Sequence, residues 1–324
     1  MVWVFLDKGE DKLNKLLFEK KVPKDRLLHH VKRENLECNK NNMAEMYEAL
    51  LSKSKSLVEG IYEEYRFSGI TSLNIFEIVG FPEKLNNKKS FLIHLKKKLG
   101  KVNNILDKQL NPPISEIPQI HFIKETEKGY LIQWIYGEVV ENTDGYNIIS
   151  RMDSRYVTTK VDFGSPVFIE IRAGYKPAVK YIKLYSELLS DNEHPVELIR
   201  LPLTKLSELE AEEVARILKA GLLEGEHLGS NGIGKYAISA DRDTKDLREL
   251  DEYKKSYMGK KYLSQTLNIE YEETDTGYAT EVKFRINMNG GFEFKTKVSE
   301  RIIKRIFDVF AEVRYKPSDI ASGE

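Results

Sequence analysis

The stretch NPPISEIPQIHFIKETEKGYLIQWIYGEVVE, residues 111–141, is where the chain changes its period. Upstream, apolar residues recur at intervals of three and four, the spacing of an amphipathic helix. Within the stretch they recur at every second residue, the spacing of a half-buried strand. Pro112, Pro113 and Pro118 cannot continue a helix, so the segment opens as a linker. IPQIHFIKET (117–126) and GYLIQWIYGEVVE (129–141) then read as paired strands that turn at Lys128-Gly129. A helical front and a strand-rich back predict the α+β class with largely antiparallel sheet.

Working back from residue 111, four helical patterns precede a last one at 88–110. DKLNKLLFEKK carries Leu13, Leu16 and Leu17. VPKDRLLHHVKREN starts at Pro23, a favoured first-turn residue. NNMAEMYEALLSKSKSLVEGIYEEYRF reads as one long helix or two. In the next segment Ser72 is expected to cap a short helix at 73–79, ended by Gly80 and Pro82. The pattern at 88–110 turns Phe91, Leu92, Leu95, Leu99, Val102 and Leu106 inward and leaves the lysines on the other side. Residues 1–110 therefore predict a basic helical domain.

Working forward, NTDGY reads as a turn, and RYVTTKVDF, Gly164-Ser165-Pro166 and VFIEIRA read as a hairpin. YKPAVKYIKLYSELLS is an amphipathic helix and HPVELIRLPL a strand. SELEAEEVARILKAGLLEG is a strong helix, with a Ser207/Glu210 capping box at its start and Gly221 or Gly225 at its end. YLSQTLNIEYEET, YATEVKFRINMN and GFEFKTKV are three further strands, the last two joined at Asn289-Gly290. SERIIKRIFDVFAEV closes the chain as a helix packed on that sheet. These elements predict a mixed α/β domain at 114–225 and a β-hairpin plus helix region at 226–324.

The 324 residues hold 51 Lys+Arg and 51 Asp+Glu, so total charge favours neither nucleic acid nor membrane. The balance hides a segregation. Residues 1–110 hold 21 Lys/Arg against 15 Asp/Glu, and the remainder is acidic by the same surplus. The densest run is 82–108, with eight lysines and two acids, a density able to bind phosphates by counterion release. Cys38 is the only cysteine, which excludes an intramolecular disulfide and a multi-cysteine zinc site. No apolar run approaches the length of a membrane span, and the start MVWVFLDKGEDK turns acidic too soon for a signal peptide. A soluble, intracellular protein of cytoplasm, nucleoid or nucleus is the expectation.

Few motifs carry chemistry. GSNGIGK (229–235) has the spacing of a phosphate loop, but a helix precedes it and Tyr236 stands where a Ser or Thr would hold magnesium, so it reads as a turn. Asp162 and Glu170-Ile171-Arg172 lie on the two strands of the predicted hairpin. That order resembles the PD-(D/E)xK nucleases, in which two carboxylates hold magnesium and a lysine orients the attacking water. Arg172 occupies the lysine position and stays protonated, so it cannot serve as a base. The six histidines form no HExxH or comparable ligand pair, so no metal or cofactor is expected. Trp134, Tyr130 and Tyr136, in an apolar strand, read as core.

Four stretches taken together resemble the centromere protein N family of the inner kinetochore: VEGIYEEYRFSGITSLNIFEIVGF (58–81), YLIQWIYG (130–137), RYVTTKVDFGSPVFIEIRAGYKPAVKYIKLYSELL (155–189) and VKFRINMNGGFEFKTKVSERIIKRIF (282–307). The resemblance implies a helical N-terminal domain of the pyrin type and a mixed α/β second domain. It also implies DNA binding across a basic surface shared by both, and a C-terminal part that pairs with a fold-related partner. The zero net charge departs from the family pattern, and no motif carries over individual contact residues.

The first functional expectation is thus a non-catalytic protein that binds double-stranded DNA. Its phosphate contacts are expected from Lys88, Lys89, Lys96, Lys97, Lys98 and Lys101, with Lys24, Arg26, Lys32 and Arg33 as a second row and Lys176, Lys180 and Lys183 continuing it. The second is a divergent magnesium nuclease using Asp162 and Glu170. The third is a scaffold that pairs with itself or a fold-related protein by strand addition at an exposed GFEFKTKV.

Overall fold

The computed structural model describes residues 15–315 apart from 102, 192, 193 and 258. In chain order the helices α1 (15–21), α2 (Lys24–Arg33), α3 (Met43–Lys53) and α4 (Lys55–Tyr65) lead to β1 (Ser72–Val79) and α5 (Lys88–Lys98). Then come β2 (Gln119–Glu125), β3 (Gly129–Thr143), β4 (Ile148–Asp162), β5 (Val167–Ile171), α6 (Tyr175–Leu189) and β6 (Ile199–Pro202). The chain continues with α7 (Glu208–Leu218), β7 (Gly221–Leu228), β8 (Lys235–Ser239), α8 (Asp251–Tyr257), β9 (Tyr262–Glu272), β10 (Ala279–Asn287), β11 (Phe292–Phe294) and α9 (Glu300–Tyr315). The α+β class is as expected, and the strand pairings within each unit are antiparallel.

The chain forms two compact units, and they differ from the expected domains. One is residues 1–71 together with 206–324; the other is the continuous stretch 72–205. The expected boundary at 110 therefore falls inside the second unit, and the lysine-rich helix α5 belongs to that unit. Its charge follows: residues 72–205 hold 19 Lys/Arg against 16 Asp/Glu, so the basic surplus lies in this central unit as well as in the front of the chain.

In the terminal unit, α1–α4 enclose Phe18, Leu27, Val31, Met46, Leu50, Ile61 and Tyr65. The stretch 43–65 is two helices. Asn42 caps α3 by accepting from the Ala44 and Glu45 N–H groups, and Ser54, in extended conformation, ends α3 and caps α4. The capping box of Ser207 and Glu210 starts α7, and Lys219 ends it in a left-handed conformation ahead of both expected glycines. The strand order is β11-β10-β9-β7-β8. Phe292 and Phe294 on β11 are buried, packed with Phe284 and Phe310, so GFEFKTKV is not the exposed strand expected for partner addition. Leu13 of the first helical pattern lies outside the described residues.

In the central unit the order is β2-β3-β4-β5-β1-β6. SLNIFEIV is β1 and not the expected short helix. Its apolar run is buried on both sides, which a helical count of apolar positions cannot tell from a helix face. Gly129 opens β3 where a Cβ would sit 1.8 Å from the Val161 carbonyl oxygen, so the expected turn requires glycine. One face of the sheet carries Ile132, Trp134, Val161 and Ile169, covered by Phe91 and Leu95 of α5 and Tyr181, Ile182 and Tyr185 of α6. Trp134 donates to Thr159 Oγ1 at 2.9 Å, and that hydroxyl and the Tyr185 hydroxyl lie 2.8 Å apart, so both polar tips are satisfied within the core. Of the three aromatics expected in the core, Tyr130 and Trp134 are there and Tyr136 is only half-buried.

Candidate nucleic-acid interface

The helix α5 is shorter than expected. It stops at Lys98 because Gly100 takes a left-handed turn, with the Gly100 and Lys101 N–H groups donating back to the Lys97 and Lys96 carbonyls. Val102 lies outside the described residues, and Leu106 packs on the core from the loop beyond the helix. Phe91 and Leu95 fix the inner face of α5, which leaves Lys89 and Lys97 exposed and Lys96 half-buried. On α6 the buried Ala178, Tyr181, Ile182, Tyr185 and Leu189 fix the inner face. Lys176, Lys180 and Lys183, spaced by four and three, form one exposed stripe opposite.

The two helices lie side by side on the same face of the sheet. His94 of α5 bonds the Leu188 carbonyl oxygen of α6 at 2.8 Å, and Lys98 donates to the Ser190 carbonyl oxygen at the end of α6. The outer sides of both helices thus belong to one layer.

The expected phosphate contacts divide into engaged and available lysines. Lys88 pairs with Glu125 at 2.6 Å and donates to the Thr126 carbonyl. Lys98 serves the end of α6 and lies 3.9 Å from Asp191, whereas Lys183, 3.9 Å from Glu187 with both side chains exposed, forms only a loose surface pair and stays available. Lys89, Lys96, Lys97, Lys101, Lys176 and Lys180 have no ion partner among the described residues. Lys96, Lys97 and Lys98 sit in the last turn of α5, where cations complement the helix dipole. Lys89 and Lys176 sit in the first turns of α5 and α6, where a cation opposes the dipole and no acid in the turn offsets it. Helix energetics accounts for the first group and not for the second.

Arg26 is not a phosphate contact. It is 1% exposed, donates to Glu273 at 2.9 Å and Glu64 at 2.7 Å, and lies over the Tyr278 ring. Burial disfavours its charge, but Glu64, Tyr65 and Glu273 outweigh that and raise its pKa. Lys24, Lys32 and Arg33 are exposed on α2 in the terminal unit.

Asp162 and Glu170 stand on neighbouring strands, with Glu170 opposite Lys160 and Asp162 opposite Phe168. Arg172 donates to Glu170 at 2.7 Å and Lys160 donates to Asp162 at 2.7 Å. Burial works against the Lys160 ammonium, yet Glu170 and Asp162 hold its pKa above the ordinary lysine value. Both carboxylates are thus committed to cations, and the motif arginine is the ion partner of its own glutamate. The described residues gather no set of three His, Cys, Asp or Glu side chains able to hold a metal ion. Sequence reasoning missed Lys160, whose role appears only when the register places it across from Glu170.

GSNGIGK is the turn between β7 and β8. Gly229 N–H donates to the Gly234 carbonyl, and Lys235 pairs with Glu226 at 2.7 Å. No described helix is long and apolar enough to cross a membrane. Compared with known protein families and with curated proteins, the chain matches none.

Proposed function

We propose that the chain is a non-catalytic protein that binds double-stranded DNA through the outer sides of α5 and α6. The observation that carries this reading is the pair of side-by-side helices whose exposed lysines include Lys89 and Lys176, cations placed at helix starts against the local dipole. A polyanion supplies the compensation those positions lack. Lys89, Lys97, Lys176, Lys180 and Lys183 would contact phosphates and position a duplex without reading base sequence. The resemblance to the centromere protein N family points to the same ligand and to a chromatin-type scaffold, and an intracellular location follows from it.

The nuclease reading has less support, because Asp162 and Glu170 are both tied to cations. The test is a salt titration of binding to a short duplex. Each phosphate neutralised contributes about 0.9 to the slope of log affinity against log salt, so five lysines predict a slope of about −4 to −5. A slope near zero, or no binding at low salt, overturns the reading.

A further inference from the structure

β3 and β4 run on past the sheet as a two-stranded ribbon. β2 accompanies β3 only as far as Ile135, and β5 accompanies β4 only from Thr159. The β3–β4 pairing continues without a register shift to Thr143 and Ile148, so both ribbon edges go without a strand partner among the described residues. The tip is built by Asp144, whose carboxylate accepts from the Tyr146 and Asn147 N–H groups at 2.9 and 2.8 Å. Side chains on the ribbon are open to solvent: Tyr146 is 96% exposed, Ile148 74% and Met152 50%. A lone two-stranded ribbon is marginal in water, and a long edge with apolar side chains is a template for another strand.

The β4 edge is self-complementary. The Thr158 carbonyl accepts from Arg172 N–H on the β5 side of the strand. Backbone groups alternate along a strand, so Ile148, Ser150, Met152, Ser154 and Tyr156 aim their N–H and C=O groups at the free edge. We propose that this edge pairs antiparallel with the same edge of a second copy of the chain, about a two-fold axis at Met152. Met152 then opposes its own counterpart, Ser150 opposes Ser154 of the second copy, and Ile148 opposes Tyr156. Between them Arg151, which bonds Asp153 of its own strand at 3.0 Å, also opposes the second copy's Asp153, twice by symmetry, at the closer non-hydrogen-bonded positions, so each charge gains a second opposite neighbour. Cross-strand pairs of opposite charge and of apolar with aromatic residues are those that stabilise sheets.

This charge order selects a second copy of the chain as the occupant. The free part of β3 holds Glu138 and Glu141 and no cation, so it does not complement itself. The ribbon as a whole carries Glu138, Glu141, Asp144 and Asp153 against Arg151 and Arg155, a surplus of acid that does not suit phosphate. The surface is separate from α5 and α6, and the inference does not rest on DNA binding.

The test is sedimentation of the full chain without DNA, from low micromolar to about 200 μM, the range in which a small interface associates. The wild type is expected to show a reversible monomer–dimer equilibrium. Arg151→Asp and Asp153→Arg each place like charges across the axis and should weaken association by about tenfold or more. The double variant Arg151→Asp/Asp153→Arg restores opposite charges and should recover wild-type association. Met152→Pro removes an outward N–H without touching the β3 ladder and should abolish the dimer, with circular dichroism confirming the fold. A wild type that stays monomeric, single variants that associate like wild type, or a folded double variant that does not recover overturns the proposal.

Discussion

His94 Nε2 of α5 lies 2.8 Å from the Leu188 carbonyl oxygen of α6, and this bond ties together the two helices that carry the exposed lysines. A carbonyl only accepts, so His94 must hold its proton on Nε2. His94→Ala removes the tie and leaves the lysines in place. Stability should fall by about 1 kcal/mol, the usual worth of such a bond, in urea denaturation. The salt slope of DNA binding should stay unchanged.

Arg26 is a structural cation, unlike the exposed lysines proposed to meet phosphate. Its side chain and that of Glu273 are both 1% exposed. Arg26→Ala strands a buried carboxylate and should cost about 3–5 kcal/mol, read as a lowered denaturation midpoint. Binding by the fraction that remains folded should be unaffected.

His30 sets an acid limit on the terminal unit. Burial, with Arg26 beside it, pushes its pKa down from 6.5 to about 4. The folded state therefore binds the proton more weakly than the unfolded chain. Stability is full above about pH 6.5 and is lost as pH falls toward 4, by on the order of 3 kcal/mol at most. His30→Gln should flatten the stability profile between pH 6.5 and 4. A variant profile that falls as steeply as the wild type contradicts this.

The capping box of α7 is a smaller and local test. The Glu210 N–H donates to Ser207 Oγ, and the Ser207 N–H donates to the Glu210 carboxylate at 2.7 Å. Ser207→Ala should cost about 1 kcal/mol in denaturation and leave DNA binding as it was.

Local signals in the sequence reached the structure where the cause is local. The capping box of α7, the Lys128-Gly129 and Asn289-Gly290 turns and the strand character of β2 and β3 are all set by neighbours within a few residues. The misses share a different cause. Arg26 meets Glu273 at a separation of 247 residues, so composition showed only a basic helix. Leu73, Asn74, Ile75 and Phe76 of β1 are all buried, on both faces, so its period gave no vote between strand and helix. The unit boundary escaped because 1–71 folds with 206–324, a contact that no linker announces. Of the candidate site, the lysines of α6 could be placed on one stripe from their spacing alone. That α5 lies beside them depends on the sheet, which the sequence does not lay out.

The most direct measurement compares two variants for duplex affinity at two salt concentrations. One replaces Lys89, Lys97, Lys176, Lys180 and Lys183 with Ala, and the other replaces Lys32 and Arg33. The first should lose most of the salt slope and the second should keep it. A first variant that binds with the wild-type slope, or a second that loses it, contradicts the assignment of DNA binding to α5 and α6.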